Sequence, residues 1–249
     1  MRVVLDTTIQ IDRILGSDKR IDRINEILYD KELITTTYVL GEYYKNIIQD
    51  YITLYNIFLQ ENDIKQTGCR ITENIFGRRQ GRIFKLFNNL AASCDYDVEL
   101  VRDNLQNYLE LLQERFYEDI DEILNGTECN KASAVVVYED EVPRLESVSC
   151  TKKMKQCKIC EFWHKRRDVL ELLLEDRKYA EELKHIIQEG LEDSDCFKGN
   201  NCMSLGDTII VSEAWKLKDI SICSSNKKDF QPICDSLNIT LCSPDYRNL

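Results

Sequence analysis

Residues 2–15 read RVVLDTTIQIDRIL and contain the pattern that decides the fold. Residues 2–6 place three apolar residues before an acid, which is typical of a short buried strand that ends at Asp6. Apolar residues then follow at near-helical spacing, at Ile9, Ile11, Ile14 and Leu15. The stretch therefore predicts a strand that leads directly into a helix.

Strand and helix patterns alternate at both ends of the chain. RINEILYDKE continues as a second helix, ELITTT is a β-branched strand, and YVLGEYYKNIIQDYITLYNIFLQ is a long helix. Near the other end, SLGDTIIVSEAWKL, DISICSS, KKDFQPICDSL and NITLC predict helix, strand, helix and strand. Because such alternation is typical of α/β folds with parallel strands, we predict one discontinuous α/β domain from residues 1–61 and 203–249.

The middle of the chain, residues 62–202, has a different character. It reads mostly as polar helix, with one β-like stretch at SAVVVYEDEV. Charge is segregated there, since residues 95–122 carry 10 acids and 2 bases whereas residues 144–167 carry 8 bases and 2 acids. We predict a largely helical insertion, which also offers a surface for a protein partner.

Composition excludes several classes of function. The formal net charge of −11 is opposite to that of a polycation that coats nucleic acid. The 9 glycines form neither G-x-G-x-x-G nor G-x-x-x-x-G-K-[ST], so the usual phosphate cradles of nucleotide-binding proteins are absent, and 2 histidines exclude a histidine-rich metal centre. With no apolar run that spans a membrane, no signal peptide pattern and an odd count of 11 cysteines, we expect reduced thiols and a cytoplasmic location.

Four acids occupy comparable places in the predicted α/β domain. Asp6 and Asp229 follow strands, Glu42 lies in the first turns of the helix after a strand, and Asp207 opens a helix. Strand ends and the helix starts that follow them gather at one edge of a parallel sheet, where ligands usually bind. Four carboxylates at one edge repel one another unless a cation lies between them, and oxygen ligands suit Mg²⁺ or Mn²⁺.

Helix capping is a rival explanation for each acid taken singly. Asp6 is placed to be an N-cap, and Ser204-x-x-Asp207 and Asn226-x-x-Asp229 both resemble capping boxes. Acids are favoured at helix N-termini in any case, because of the helix dipole. Four acids that all fall at the predicted carboxyl edge favour the cation site over capping alone.

The segments that carry these acids resemble a known family. VVLDTTIQIDRI, TTTYVLGEYYK, LGDTIIVSEA and ICSSNKKDF are similar, in this order, to the four motifs of PIN-domain nucleases. The resemblance covers roughly residues 1–60 and 203–242, and the 164 residues between Glu42 and Asp207 exceed the spacing in compact members of the family. It implies a Rossmann-like sheet and metal-dependent hydrolysis of phosphodiester bonds, usually in RNA.

The resemblance also implies roles for individual residues. Asp6, Asp207 and Asp229 would be the principal ligands of Mg²⁺ or Mn²⁺, and Glu42 would complete the site directly or through water. Thr7 and Ser224, which match the small hydroxyl residues of the family, would orient ligands or phosphate. The leading hypothesis is therefore a metal-dependent endoribonuclease, and the alternative is a catalytically silent PIN-like module that binds RNA or acts as a scaffold.

The cysteines of the insertion predict a structural zinc ion. Cys157 and Cys160 have the spacing of a zinc knuckle, and a helical hairpin broken near residues 176–179 would return Cys196 and Cys202 to them. A rival ligand set joins Cys157 and Cys160 with Cys150 and His164. Reduced thiols without a metal are the remaining explanation.

Basic residues are concentrated in two tracts that are candidates for RNA contact. In KKMKQCKICEFWHKRR, residues 152–167, they alternate with Phe162 and Trp163, as in many proteins that bind single-stranded RNA. A second tract lies at residues 78–85, and both have the alternative explanation of solvated helix faces paired with neighbouring acids. The candidate RNA contacts of the first tract are Lys152, Lys153, Lys155, Lys165, Arg166 and Arg167.

Overall fold

The protein folds into two compact units in a computed structural model that describes residues 1–146, 150 and 157–246. The first unit comprises residues 1–42, 119–133 and 148–249, and the second comprises residues 43–118 and 134–147. In chain order, the strands are β1 (Arg2–Leu5), β2 (Glu32–Thr36), β3 (Glu122–Leu124), β4 (Val135–Glu139), β5 (Val142–Glu146), β6 (Ile220–Cys223) and β7 (Thr240–Cys242).

Helices connect these strands and make up most of the second unit. Among the described residues, no helix is long and apolar enough to cross a membrane. Short 3₁₀ segments lie at Asn130–Ser133 and Ser194–Phe197, and a π-helical segment lies at Tyr44–Ile48. The α-helices are α1 (Thr7–Leu15), α2 (Asp18–Leu28), α3 (Thr37–Tyr43), α4 (Gln49–Glu61), α5 (Ile64–Asn74), α6 (Gly77–Ser93), α7 (Val98–Arg115), α8 (Ile159–Lys165), α9 (Arg167–Glu175), α10 (Glu181–Glu192), α11 (Asn200–Ser204), α12 (Gly206–Ala214) and α13 (Lys227–Ser236).

The first unit is built on an all-parallel sheet with β1 at its centre. Within the described residues the sheet has five strands in the order β3-β2-β1-β6-β7, so Val4 of β1 lies opposite Ile34 on one side and Ile222 on the other. Val3, Val4 and Leu5 are fully buried, as expected for a strand covered by helices on both faces. The predicted α/β class with a helical insertion is confirmed.

The compact units differ from the predicted division at residues 61 and 203. The boundary falls after Glu42, within α3, and the edge strand β3 comes from the stretch predicted as insertion. β3 has three residues and is preceded by acids, so it carries no periodic hydrophobic signal. The predicted break of the helical hairpin is confirmed, since α9 ends at Glu175 and α10 begins at Glu181.

The second unit combines α4–α7 with the antiparallel pair β4–β5, which the β-like stretch predicted. Its buried acid Asp50 accepts hydrogen bonds from Nε of Arg79 at 2.7 Å and Nε of Arg82 at 2.8 Å. Two of the four basic residues of the tract at 78–85 are therefore bound to a carboxylate of their own unit. This pairing favours the structural explanation of that tract over RNA contact.

A buried glutamate on α12 holds a loop of the first unit in place. Oε1 of Glu213 accepts the backbone N–H of Thr127 at 3.1 Å, whereas Oε2 has no hydrogen-bond partner within the described residues. Burial raises the pKa of Glu213 from 4.5 to about 7, and hydrogen bonds from the backbone of Thr127 and Gly126 and the charge of Arg166 oppose this shift. The folded protein therefore keeps a proton on Glu213 at a pH where the unfolded chain has lost it.

We expect Glu213 to lower the free energy of unfolding as the pH rises from about 4.5 to about 7. The unfolded chain releases this proton first, so deprotonation favours unfolding, and above pH 7 the contribution levels off. At about 1.4 kcal/mol for each pH unit between the two pKa values, the loss amounts to about 3 kcal/mol at most.

The Glu213→Gln variant, which cannot ionise, should show a smaller decline between pH 5 and pH 8 than the wild type. Urea unfolding at both pH values measures the difference, and Glu192→Gln, a change at an exposed glutamate of α10, is the matched control. Equal pH dependence in the wild type and Glu213→Gln would contradict the prediction.

Candidate active site

Asp6 ends β1 at the seam between β1 and β6, where the strand order of the sheet reverses direction. Its side chain caps α1, with Oδ1 accepting the backbone N–H of Ile9 at 2.9 Å. Ser224, directly after β6, donates its hydroxyl to Oδ2 of Asp6 at 2.7 Å, and Thr8 donates to both carboxylate oxygens. The carboxylate is thus fixed by donors from both sides of the seam, at the position where open α/β sheets bind ligands.

The surroundings of Asp6 have opposing effects on its pKa. The residue is 2% exposed, and burial raises its pKa from 3.8 to about 6. Hydrogen bonds from Ser224, Ile9 and Thr8 favour the charged form and limit the rise, whereas the negative charge of Glu42 adds to it. A nearby cation would relieve both the burial penalty and the repulsion.

Glu42 reaches the same edge from α3, which starts immediately after β2. Thr7 of α1 donates its hydroxyl to Oε2 of Glu42, so the two helices that follow neighbouring strands are joined through a site residue. The sequence predicted that Thr7 and Ser224 would orient ligands. The structure binds each of them to a different acid of the predicted set, Thr7 to Glu42 and Ser224 to Asp6.

Asp207 lies in the first turn of α12 and is half-buried. Burial is the largest reason that its pKa rises from 3.8 to about 7, followed by the negative charges of Asp6, Glu42 and Asp229. Among the described residues no group donates a hydrogen bond to this carboxylate. The residue before it, Gly206, packs so closely on Tyr38 that an added Cβ would lie 2.6 Å from the tyrosine Oη. Glycine is required there for the close approach that sets the start of α12.

Asp229 lies in the first turn of α13 and is exposed. Asn226 donates its side-chain amide to Oδ2 of Asp229 at 2.8 Å, and its backbone N–H donates to Oγ of Ser224 at 2.9 Å. Since Ser224 in turn donates to Asp6, one hydrogen-bonded chain runs from Asp229 to Asp6.

Helix capping explains one of the four acids. Asp6 is a true N-cap, but neither predicted capping box forms. α12 begins after Leu205 rather than Ser204, whose hydroxyl donates to the carbonyl oxygen of Asn200, and the Asn226 side chain makes no cap hydrogen bond. Asp207 and Asp229 therefore lie at the carboxyl edge without a capping role of the predicted kind.

The four carboxylates influence one another through their charges but do not lie in contact. Asp207 experiences the charges of the other three, yet no three His, Cys, Asp or Glu side chains of the described ranges stand close enough together to hold a metal ion as placed. Binding of a cation at this edge would require the carboxylates to move towards one another. The exposed Asp229 is the member with the most room to do so.

A cavity of about 600 Å³ opens beside two of these acids, and the sequence did not predict it. Asp207 and Asp229 lie on its wall together with Lys178 and Lys228. Its remaining lining comes from the α9–α10 linker, α10, α12, α13 and the end of α11, at Tyr179, Ala180, Glu182, Leu183, Ile186, Ser204, Thr208, Pro232 and Ile233.

Comparisons with family models, with curated proteins and with solved structures find no match to this chain.

The aromatic residues of the first basic tract, Phe162 and Trp163, are not available to RNA. Both rings are buried, Trp163 at 1% exposure; they pack against each other, and Trp163 also packs against Phe197. Their position on the inner face of α8 follows from the apolar spacing of that helix, which the surrounding lysines and arginines obscured in the sequence. They are core residues.

The predicted basic contacts divide into three groups. Lys152, Lys153 and Lys155 lie outside the described residues. Arg166 is half-buried, with Nε donating to the carbonyl oxygen of Ser212 at 3.1 Å and the guanidinium 5.8 Å from the centre of the Phe162 ring, so it supports the fold. Lys165 and Arg167 are exposed, although Arg167 also pairs with Glu171 on its own helix.

The thiols are grouped differently from either predicted zinc set. Burial raises the pKa of Cys202 to about 12, and the proximity of Cys129, Cys150 and Cys157, whose thiolate forms would repel that of Cys202, adds to the shift. Cys129, which the sequence reasoning missed, follows a loop and has no motif of its own. Its neighbour Cys157 is brought to it by the backbone hydrogen bond from Lys158 N–H to the Thr127 carbonyl, at 2.9 Å.

The other members of the predicted sets make different contacts. Cys160 donates its thiol to the carbonyl oxygen of Ser194, Cys196 lies in the 3₁₀ segment that follows α10, and His164 is exposed on α8. Neither predicted set is assembled at metal-binding distance within the described residues. The structural zinc ion stays a prediction.

If zinc binds, we expect Cys129 to be a ligand with Cys157 and Cys202, which lie near one another although, like the predicted sets, they are not assembled at metal-binding distance within the described residues. Protein purified under reducing conditions should then hold about one zinc ion per chain, as is usual for a four-ligand structural site. Cys129→Ser and Cys157→Ser should lose it, and Cys69→Ser, at an exposed thiol of α5, should retain it. Elemental analysis measures the metal. Zinc retained in Cys129→Ser but lost in Cys196→Ser would favour the first predicted set instead.

Proposed function

We propose that this protein is a metal-dependent endoribonuclease of the PIN type that hydrolyses RNA phosphodiester bonds. The observation that carries the proposal is the state of Asp207. This half-buried carboxylate has no hydrogen-bond donor among the described residues and experiences the negative charges of Asp6, Glu42 and Asp229. Such an arrangement is unfavourable by itself and becomes favourable when a divalent cation binds.

The donor set fits Mg²⁺ or Mn²⁺. All four side chains are carboxylates, the ligands that these ions prefer, and two of them line a cavity large enough for part of a nucleic acid chain. Asp6, Glu42, Asp207 and Asp229 would hold the metal. A bound divalent ion supplies a water of lowered pKa and stabilises charge on the leaving oxygen of a phosphodiester.

The chain's own hydroxyl groups have supporting roles in this proposal. Ser224 and Thr8 keep the Asp6 carboxylate at the end of β1, and Thr7 holds the Glu42 carboxylate on the neighbouring helix. Asn226 does the same for Asp229. Each acid other than Asp207 therefore accepts a hydrogen bond in the metal-free arrangement, from which the carboxylates would move towards one another on binding a cation. We also propose that RNA is the partner of this protein and that it acts in the cytoplasm.

A second candidate is a silent PIN-like module that binds RNA or acts as a scaffold. One observation favours it, namely that no three of the acids stand at metal-binding distance within the described residues. The same experiment separates the two candidates, because a silent module binds RNA without cutting it.

We expect Asp207→Asn to reduce the rate of cleavage by at least about a hundredfold. Mutation of a residue that only hydrogen-bonds to a metal ligand can already lower activity by up to about a hundredfold. The substrate is a mixed, end-labelled RNA pool incubated with Mn²⁺, Mg²⁺ or EDTA. The variant should remain folded, with a thermal midpoint no lower than that of the wild type, because the amide relieves repulsion from three carboxylates.

Asp219→Asn is the matched control for this experiment. Asp219 is an exposed acid of the same unit with a φ of 52°, a conformation that asparagine also tolerates. It should cut RNA like the wild type. Turnover that is equal in Asp207→Asn and Asp219→Asn would refute the site, and binding without any cleavage by the wild type would favour the silent module.

A further inference from the structure

The linker between α9 and α10, residues 176–180, is fastened to both helices that carry the cavity acids. The Tyr179 hydroxyl, on a residue 2% exposed, lies 2.7 Å from Oγ1 of Thr208, the residue after Asp207. On the other side, Ser236 of α13 donates its hydroxyl to Asp176, and Nζ of Lys178 lies 3.5 Å from Oδ2 of Asp235. The linker therefore has a fixed position beside the first turn of α12 and the last turn of α13.

This attachment sets one wall of the cavity. α10 begins directly after the linker, and its first turns present Leu183 and Ile186 to the cavity, both partly exposed to solvent. Pro232 and Ile233 of α13 form apolar lining from another element. Apolar side chains that remain partly exposed in a concave site are typical of a surface that receives a ligand.

The cavity is lined by both basic and acidic side chains. Lys178 and Lys228 are exposed lysines on its lining, and Asp207 and Asp229 are the acids of the proposed metal site. Glu182, at the start of α10, is a third lining acid and lies outside that site. With a divalent cation on the acids, both kinds of group attract phosphate. A ligand with an apolar face for this wall and a negative charge beside it would match both features.

We propose that this cavity receives one unpaired nucleobase of a single-stranded RNA, next to the phosphate that is cut. The inference rests on the proposed function and extends it to the selection of substrate. A base in a duplex is stacked and paired and cannot enter a cavity, whereas a base in a loop or single strand can turn outwards and pack against apolar side chains. Lys228 then contacts the backbone phosphate, and Leu183 and Ile186 contact the base.

Binding is tested in the Asp207→Asn background with Mg²⁺, so that the RNA remains whole. The probes are a 12-nucleotide single-stranded RNA with a central 2-aminopurine and the blunt duplex of the same sequence. We expect the single strand to bind more tightly than the duplex, with a change in 2-aminopurine emission as the base leaves its stack. Leu183→Ser/Ile186→Ser should weaken single-strand binding about tenfold, because the apolar surface that packs against the base is lost.

Two matched controls accompany the variants. Leu172→Ser makes the same chemical change at an exposed leucine of α9 that does not line the cavity, and it should bind like the background protein. Lys228→Gln is a second cavity variant, for use if Leu183→Ser/Ile186→Ser fails to fold. It changes an exposed side chain, so we expect it to fold like the background protein. It should weaken single-strand binding several-fold at low salt and reduce the salt dependence, whereas Lys216→Gln, at an exposed lysine outside the cavity, should do neither.

Equal binding of single strand and duplex, or unchanged single-strand binding in both cavity variants, would overturn the inference. Its failure is distinct from failure of the nuclease proposal. Wild-type cleavage together with unaffected binding in the cavity variants removes the base site and leaves the nuclease. Weakened binding in the cavity variants, together with a wild type that cuts no RNA in Mn²⁺ or Mg²⁺, removes the nuclease and leaves the base site.

Discussion

The first unit depends on the pairing of β1 with β6. This pairing joins two segments separated by about 215 positions of sequence and places the end of the first beside the end of the second. The hydrogen bond from Ser224 to Asp6 joins the ends of the same two strands, and it fixes the orientation of the Asp6 carboxylate. The neighbouring acids are then brought to this edge by helices whose starts are set by the sheet. Without the seam, the four acids have no common location.

The acids are treated unequally by their surroundings, and this inequality gives the site its chemical character. Asp6 accepts hydrogen bonds from Ser224, Thr8 and Ile9, which favour its charged form although it is buried. Asp207 is half-buried, receives no such support from the described residues and is surrounded by like charge. A site that satisfied all its carboxylates internally would have little affinity for a cation. In the proposed function, the unsupported Asp207 is the acid that gains most from a bound cation.

The sheet and the acid edge were predictable from sequence because their signals are local. A strand that ends in an acid and leads into a helix can be recognised at Asp6, and the same logic finds Glu42 and Asp229. Features that depend on distant parts of the chain were not predictable. Glu213 lies on a buried helix but binds a loop near residue 127, Cys129 has no motif, and Phe162 looked like a surface residue among basic neighbours. The cavity arises from a linker whose attachment to α12 and α13 leaves no pattern in its own residues.

The central position of β1 also has a consequence for the order of events during synthesis. β1 is synthesised before β6, which follows more than two hundred residues later in the chain. At about 5–20 residues per second, one side of β1 has no strand partner for at least about ten seconds. During that time Ser224 and Asp229 do not yet exist in the growing chain, so Asp6 lacks its partner across the seam. A chain that is still attached to its own messenger RNA therefore lacks the completed acid edge until β6 and α13 have been made.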